Sequence, residues 1–176
     1  LHFISSFIAA ICILAAGFAF WMCLVSAFQA PAKRGRTPCL NNIRQIGLAL
    51  INYDSTYGCL PPAYLIDQDG ERMHSWRVLI LPFLGEESLY KQYRFDEPWN
   101  GPNNVRLANK MPKLFACPED GSYKKMMTSF LAVVGQQTPF PGTTSRSLNR
   151  IPDGPSTTVL IVESAGSGIH WMEPRD

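Results

Sequence analysis

The sequence predicts an α+β domain behind a membrane anchor: an N-terminal transmembrane helix, then an amphipathic helix packed on an antiparallel sheet, with short helices and long loops. Three observations carry that expectation. Residues 1–32 contain no Asp, Glu, Lys or Arg, and an apolar run of about 18 residues or more can span a bilayer. A helix-period apolar pattern follows from Leu40 to Tyr57, and the last third breaks into short β-branched runs between turn residues. Helices first and strands later is the order of an α+β fold. The chain divides into an anchor over 1–30, a basic Pro/Gly linker over 31–38 and a domain over 39–176.

The anchor has a rival reading. Val25-Ser26-Ala27 suits a signal peptidase, which would make the segment removable, but its apolar core exceeds the usual 7–15 residues of a signal sequence. A retained anchor is expected. Lys33, Arg34 and Arg36 follow it. Thr37 then offers an N-cap and Pro38 a first helical position, where a missing N–H costs nothing. Stepping about 100° per residue, Ile43, Ile46, Leu50, Tyr53 and Tyr57 share one arc, which Leu40, Gly47 and Ile51 extend. Arg44, Asn41, Asn52, Gln45 and Thr56 fall opposite. The docking face is therefore Leu40, Ile43, Ile46, Leu50, Tyr53 and Tyr57. Asp54 lies inside the apolar arc, so its carboxylate needs an Arg or backbone N–H groups. Gly58 ends the helix.

Beyond it, Pro61 and Pro62 hold residues 60–64 extended. Asp67-Gln68-Asp69-Gly70 reads as a turn between short strands. Ser75 caps a short helix through Leu81 that Pro82 ends, and residues 86–93 form another with Leu89 and Tyr93 on one face. A polar knot over 96–104 precedes a brief helix over 105–111. Strands are expected over 129–134 and, most clearly, 157–163, with 169–172 a pairing candidate for the latter.

All 16 basic and 14 acidic residues fall after the anchor. Of the net charge of +2, Lys33, Arg34, Arg36 and Arg44 contribute +4, leaving −2 for residues 54–176. The basic character is juxtamembrane, and a nucleic-acid surface is excluded as an expectation. Cys12 and Cys23 sit in the anchor as small hydrophobes. Cys39, Cys59 and Cys117 are widely spaced without a C-x-x-C pattern, which does not suit zinc. One disulfide plus a free thiol fits an oxidising compartment, and three thiols fit a reducing one.

Candidate chemistry is sparse. No nucleophile elbow, phosphate loop, dinucleotide fingerprint or H-E-x-x-H motif occurs. Asp67 and Asp69 start like a calcium loop, but Arg72 and Met73 break the ligand pattern, so a polar hairpin is expected. Asp96, Glu97, Asn100, Asn103 and Asn104 place hard oxygen donors together beside Trp99; they make either a ligand site or turn caps. His74 and His170 are the domain's two histidines, and His170, Glu173 and Asp176 recur at three-residue steps. A hydrolase built on them is the least favoured reading. No catalytic residue, metal ligand or cofactor is assigned.

The run from Cys39 to Leu50, Cys-Leu-Asn-Asn-Ile-Arg-Gln-Ile-Gly-Leu-Ala-Leu, resembles the helix signature of a large bacterial prepilin-like family of unknown function (DUF1559). The likeness continues through Asn52-Tyr53, Tyr57-Gly58, Leu60-Pro61-Pro62 and His74-Ser75-Trp76-Arg77. Further on it takes in Leu89-Tyr90, Glu97-Pro98-Trp99, Asn103-Asn104, Cys117-Pro118, Asp153-Gly154, Glu163 and residues 169–176. The resemblance implies a pilin-like fold displayed outside the inner membrane. It also implies a Cys39–Cys117 disulfide, since both lie in the signature, leaving Cys59 free. Departures are present: the prepilin motif Gly-Phe-Thr-x-x-x-Glu is missing, Asp54-Ser55 replaces the usual His-Asp, and Pro31, Gly35 and Pro38 interrupt the stalk.

The chain begins on Leu1 and stops at Asp176 without the family's His-rich closing stretch, so incomplete ends are expected. The basic residues after the anchor place the domain in the cytoplasm by the positive-inside rule, whereas the resemblance places it outside; the resemblance is followed here. The resulting expectation is a non-enzymatic, membrane-anchored pseudopilin-like domain of the cell envelope, with a structural or assembly role of the type II secretion kind. Its partners would be the lipid bilayer and other pilin-like subunits. The alternative is an anchored extracytoplasmic ligand-binding or sensory domain using the 96–104 knot, its small-molecule ligand unknown.

Overall fold

The computed structural model describes residues 36–151 and 154–176, and among them the longest element is a helix, α1 (Arg36–Tyr57). The anchor over 1–30, the linker as far as residue 35 and the cysteines at 12 and 23 lie outside the described residues. Among the described residues no helix is long and apolar enough to cross a membrane. The helix stops where expected: Gly58 takes a left-handed φ of 76° and its N–H bonds the Asp54 carbonyl at 2.8 Å. That conformation suits a residue without a Cβ.

The buried stripe of α1 is Cys39, Ile46, Ala49 and Leu50, flanked by half-buried Ile43 and Tyr53. Each fully buried Leu or Ile contributes about 1.5–3 kcal/mol. Leu40 and Tyr57, expected on this face, are 47% and 61% exposed. Leu40 is one residue, about 100°, past Cys39 and so turns off the stripe. Tyr57 points the right way but lies in the last turn, where the core has ended. There it rests on Tyr53 and Phe83, with ring centroids 4.5 and 6.2 Å away. Asp54 is nearly buried and accepts the Leu148 N–H at 3.1 Å, a backbone partner of the kind its position demands.

The described residues form an α+β fold with three α-helices and two two-stranded antiparallel sheets. Strand β1 (Tyr64–Ile66) pairs with β2 (Arg72–Ser75), Leu65 opposite His74. The turn between them is closed by Asp67, whose carboxylate accepts the N–H groups of Asp69 and Glu71 at 2.9 and 2.8 Å. Helix α2 (Trp76–Leu79) follows at once, its first turn capped by the Ser75 hydroxyl, and a 3-10 turn, Leu81–Leu84, takes over with Pro82 in its first positions. Helix α3 (Glu87–Gln92) buries Leu89. Strand β3 (Phe130–Ala132) pairs with β4 (Ile161–Glu163), Leu131 opposite Val162.

One sheet beneath α1 was expected, and here the structure differs. Helix α1 packs on the Leu81–Leu84 and Lys113–Phe115 turns, with β4 a lesser neighbour. The 14 prolines and 13 glycines explain the short strands, since proline cannot donate to a ladder and glycine weakens one. The strand expected over 157–163 is cut to its last three residues because Pro155 opens a 3-10 turn, Pro155–Thr157. Residues 105–111, expected to be helical, carry only the end of the 3-10 turn Asn104–Leu107. Residues 169–172 pair instead with 126–128: Thr128 N–H bonds the Ile169 carbonyl, and Trp171 N–H the Met126 carbonyl.

The segments meet around a buried cation. Arg77 is wholly enclosed. It donates to the Phe130 carbonyl from Nε (3.3 Å) and Nη2 (3.0 Å), and to Ser75 Oγ at 3.0 Å. Its charge is met by Asp176, in direct ion-pair contact. The same carboxylate accepts the Ala132 N–H at 2.8 Å and the Trp76 indole N–H at 3.1 Å. Burial raises the Asp176 carboxyl above its ordinary value, opposed by Arg77 and by those N–H donors. Arg77→Met leaves that carboxylate buried without its cation, and an unfolding free energy lower by about 3–5 kcal/mol is expected. Urea denaturation monitored by tryptophan fluorescence measures it; a loss under about 1 kcal/mol would show the pair to be peripheral.

Candidate functional site

The polar knot over 96–104 is tied by its own side chains. Glu97 Oε1 accepts the N–H groups of Asn103 and Asn104 at 2.8 and 2.6 Å, and Oε2 accepts the Asn103 side-chain amide at 3.0 Å. Desolvation pushes the Glu97 pKa upward, but these bonds and the Arg94 charge outweigh it and hold the group below its ordinary value. The carboxylate needs room. A Cβ on Gly101 would stand 2.8 Å from Glu97 Cδ, closer than packed carbon atoms allow, so a larger residue there would push the carboxylate off these bonds.

Asn104 is completely buried. Its Oδ1 accepts the Arg94 N–H at 2.9 Å, and its Nδ2 donates to the carbonyls of Arg94 (2.7 Å) and Pro98 (3.0 Å). Side-chain oxygens committed in this way are not free to coordinate an ion or a sugar hydroxyl. Asp96 and Asn100 are exposed. Trp99 departs to the other side: its N–H bonds the Met73 carbonyl at 3.0 Å, and its ring stacks on His170 at 5.5 Å. There it borders an open cleft of about 380 Å³ with Arg72, Glu173 and Arg175. The six candidate ligand residues therefore do not converge on one pocket. Glu97, Asn103 and Asn104 knit the turn, while Trp99 serves a different surface.

The histidines are likewise separated. His74 is buried between β1 and the loop after α3; Nδ1 lies 2.9 Å from the Tyr93 hydroxyl and Nε2 3.1 Å from the Phe95 carbonyl. A neutral ring donating from Nε2 and accepting at Nδ1 satisfies both contacts. Burial lowers its pKa, against the pull of the Phe95 carbonyl. His170 is lowered too, first by burial, and its Nδ1 accepts the Met172 N–H at 3.2 Å. The three-residue steps bring no triad together: Glu173 bonds Arg175 and the His170 N–H, while Asp176 is engaged by Arg77.

Cys39 and Cys117 form a disulfide with Cα atoms 4.9 Å apart, spanning a sequence separation of 78. Cys59 is a half-buried free thiol. Glu163 brings a carboxylate oxygen within 4.8 Å of both bridged sulfurs, but sulfurs bonded to one another offer no thiolate to a metal. Beside the bridge, Asn42 Nδ2 donates to the Ala116 carbonyl at 2.9 Å. This bond fastens the first turns of α1 to residues 113–117 a second time.

The chain belongs to the family described as protein of unknown function (DUF1559), which it matches over residues 32–151. No curated protein and no solved structure matches it.

The two histidines make stability depend on pH. Unfolded, each titrates near its ordinary value of 6.5; folded, each binds its proton only at lower pH. Their contribution is complete above 6.5 and falls as pH drops toward the folded values, because the unfolded chain then holds protons that the folded one does not. The urea midpoint is expected to decline from about pH 7.5 to about pH 5.5, with a shallower slope in His74→Gln/His170→Gln. A midpoint that rises over that interval would refute the assignment.

Proposed function

We propose that this chain is a membrane-anchored, non-enzymatic pseudopilin-like domain with a structural or assembly role in the cell envelope, displayed outside the inner membrane. The observation that carries the reading is the Cys39–Cys117 bridge. It closes immediately behind the uncharged residues 1–32, and disulfides persist in oxidising compartments. Such a domain needs a firm joint at the base of its first helix, and the bridge together with Asn42 supplies one.

Reporters fused after Asp176 test the display. A phosphatase fusion is expected to be active and a fluorescent-protein fusion dark, with Cys39 and Cys117 resistant to alkylation until a reductant is added. Fluorescence without phosphatase activity would place the domain in the cytoplasm, and the envelope role would fall with it.

A second reading, an anchored ligand-binding or sensory domain, is favoured by Trp99, whose ring borders the cleft with Arg72, Glu173 and Arg175. An aromatic surface beside charged hydrogen-bonding groups suits a sugar-like ligand. On this reading a panel of neutral oligosaccharides raises the thermal midpoint of the full chain, and Trp99→Ala abolishes the rise. A panel without effect on the wild-type chain would dispose of it.

A further inference from the structure

The knot over 96–104 also builds one wall of a different cleft. Between the end of α3 and the Asn104–Leu107 turn lies an opening of about 640 Å³. Lys91, Arg94, Arg106 and Lys110 line it, with the amides of Gln92 and Asn103, and no carboxylate does. The chain has nearly as many acidic as basic residues, 14 against 16, so four cations without one acid in a single cleft is a local segregation of charge. The ion pairs of the described residues engage Arg77 and Arg175 and none of these four. Arg94 does feel Glu97, but that carboxylate is already committed to three hydrogen bonds from Asn103 and Asn104.

The walls are fixed in place. Buried Asn104 grips both the N–H and the carbonyl of Arg94. Glu97 fixes Asn103, and Lys110 Nζ reaches across to Gln92 Oε1 at 2.9 Å. Cations held together in a concavity raise the local concentration of anions. Two guanidinium forks match the paired oxygens of phosphate-type groups, while two ammonium groups add unoriented charge. The volume lies within the range of small-ligand sites, but a lining this polar selects a charged ligand over an apolar one.

We propose that this cleft binds a compact polyanion carrying phosphate-type oxyanions. The inference does not depend on which side of the membrane displays the domain, so it stands or falls separately from the envelope reading.

The test is calorimetric titration of the full chain, in nonionic detergent micelles, with inorganic tripolyphosphate. Saturable one-site binding is expected, weakened when NaCl rises from about 0.05 to about 0.5 M. The Arg106→Gln/Lys110→Gln variant is expected to bind roughly tenfold more weakly. A control, Lys124→Gln/Lys125→Gln, removes two exposed charges outside this cleft and should leave affinity unchanged. Because all four of these side chains are exposed, both variants should unfold at the wild-type temperature, which a thermal scan verifies. Absence of saturable heat from the wild-type chain, or equal losses in both variants, would overturn the proposal.

Discussion

The guanidinium of Arg77 is the constraint on which the rest of the domain depends. Strands of three and four residues supply few ladder bonds, and two separate small sheets cannot set each other's position by backbone pairing. Arg77 sets it instead. Ser75 belongs to the corner between β2 and α2, the Phe130 carbonyl to β3, and Asp176 to the last segment, and one side chain bonds all three. Removing two charges from water costs several kcal/mol per ion, so such a pair is a poor source of net stability. What it supplies is exclusivity: any shift of β3 against the β2–α2 corner would leave a buried cation or carboxylate unsatisfied. The surrounding aromatics, Trp76 against Phe140 and Phe115 against Trp171, fill space on either side of that joint.

Helix α1 is held by a different means. Its apolar stripe is narrow, and much of its outer surface remains apolar, with Leu48 and Ile51 exposed along with Leu40. Specific attachments fix its position at both ends. Near the start, the disulfide and the Asn42 amide tie it to residues 113–117; near the end, Asp54 receives the Leu148 N–H. A loop of this length, closed covalently, removes about 2–5 kcal/mol of freedom from the unfolded chain in the entropic account. The helix is thereby fixed without needing the broad sheet that its sequence pattern calls for.

Apart from the Cys39–Cys117 bridge, which the family resemblance implied, what could be read from sequence was local. Gly58 as a stop, Ser75 as a cap and residues 67–70 as a turn between short strands each depend on residues within four positions, and each is found in its place. Pairing over distance could not be read that way. Arg77 carried no sign of its role, because arginine is almost never fully buried unless paired, and its partner stands 99 positions away. The helical pattern itself misled at Tyr57, since a wheel records direction but not what lies opposite. The candidate ligand residues misled for a related reason. Asn, Asp and Glu clustered around Gly and Pro have the same composition whether they meet an ion or their own backbone, and only inward bonds such as the one from the Arg94 N–H to Asn104 Oδ1 tell the two apart.

That same bond changes what the knot is for. Side chains that spend their hydrogen bonds inward make a turn rigid, and a rigid turn can present other residues at a fixed spacing. Arg94 and Asn103 are both presented in this way, one from each wall of the basic cleft. The sequence conceals this arrangement because Lys91 and Arg94 lie before the knot, Arg106 and Lys110 after it, and the overall charge nearly cancels. Charge balance over a whole chain therefore says little about its surface. Here Glu97 and Asp67 are engaged in turns and Asp176 in an ion pair, and four cations face one opening without a carboxylate among them.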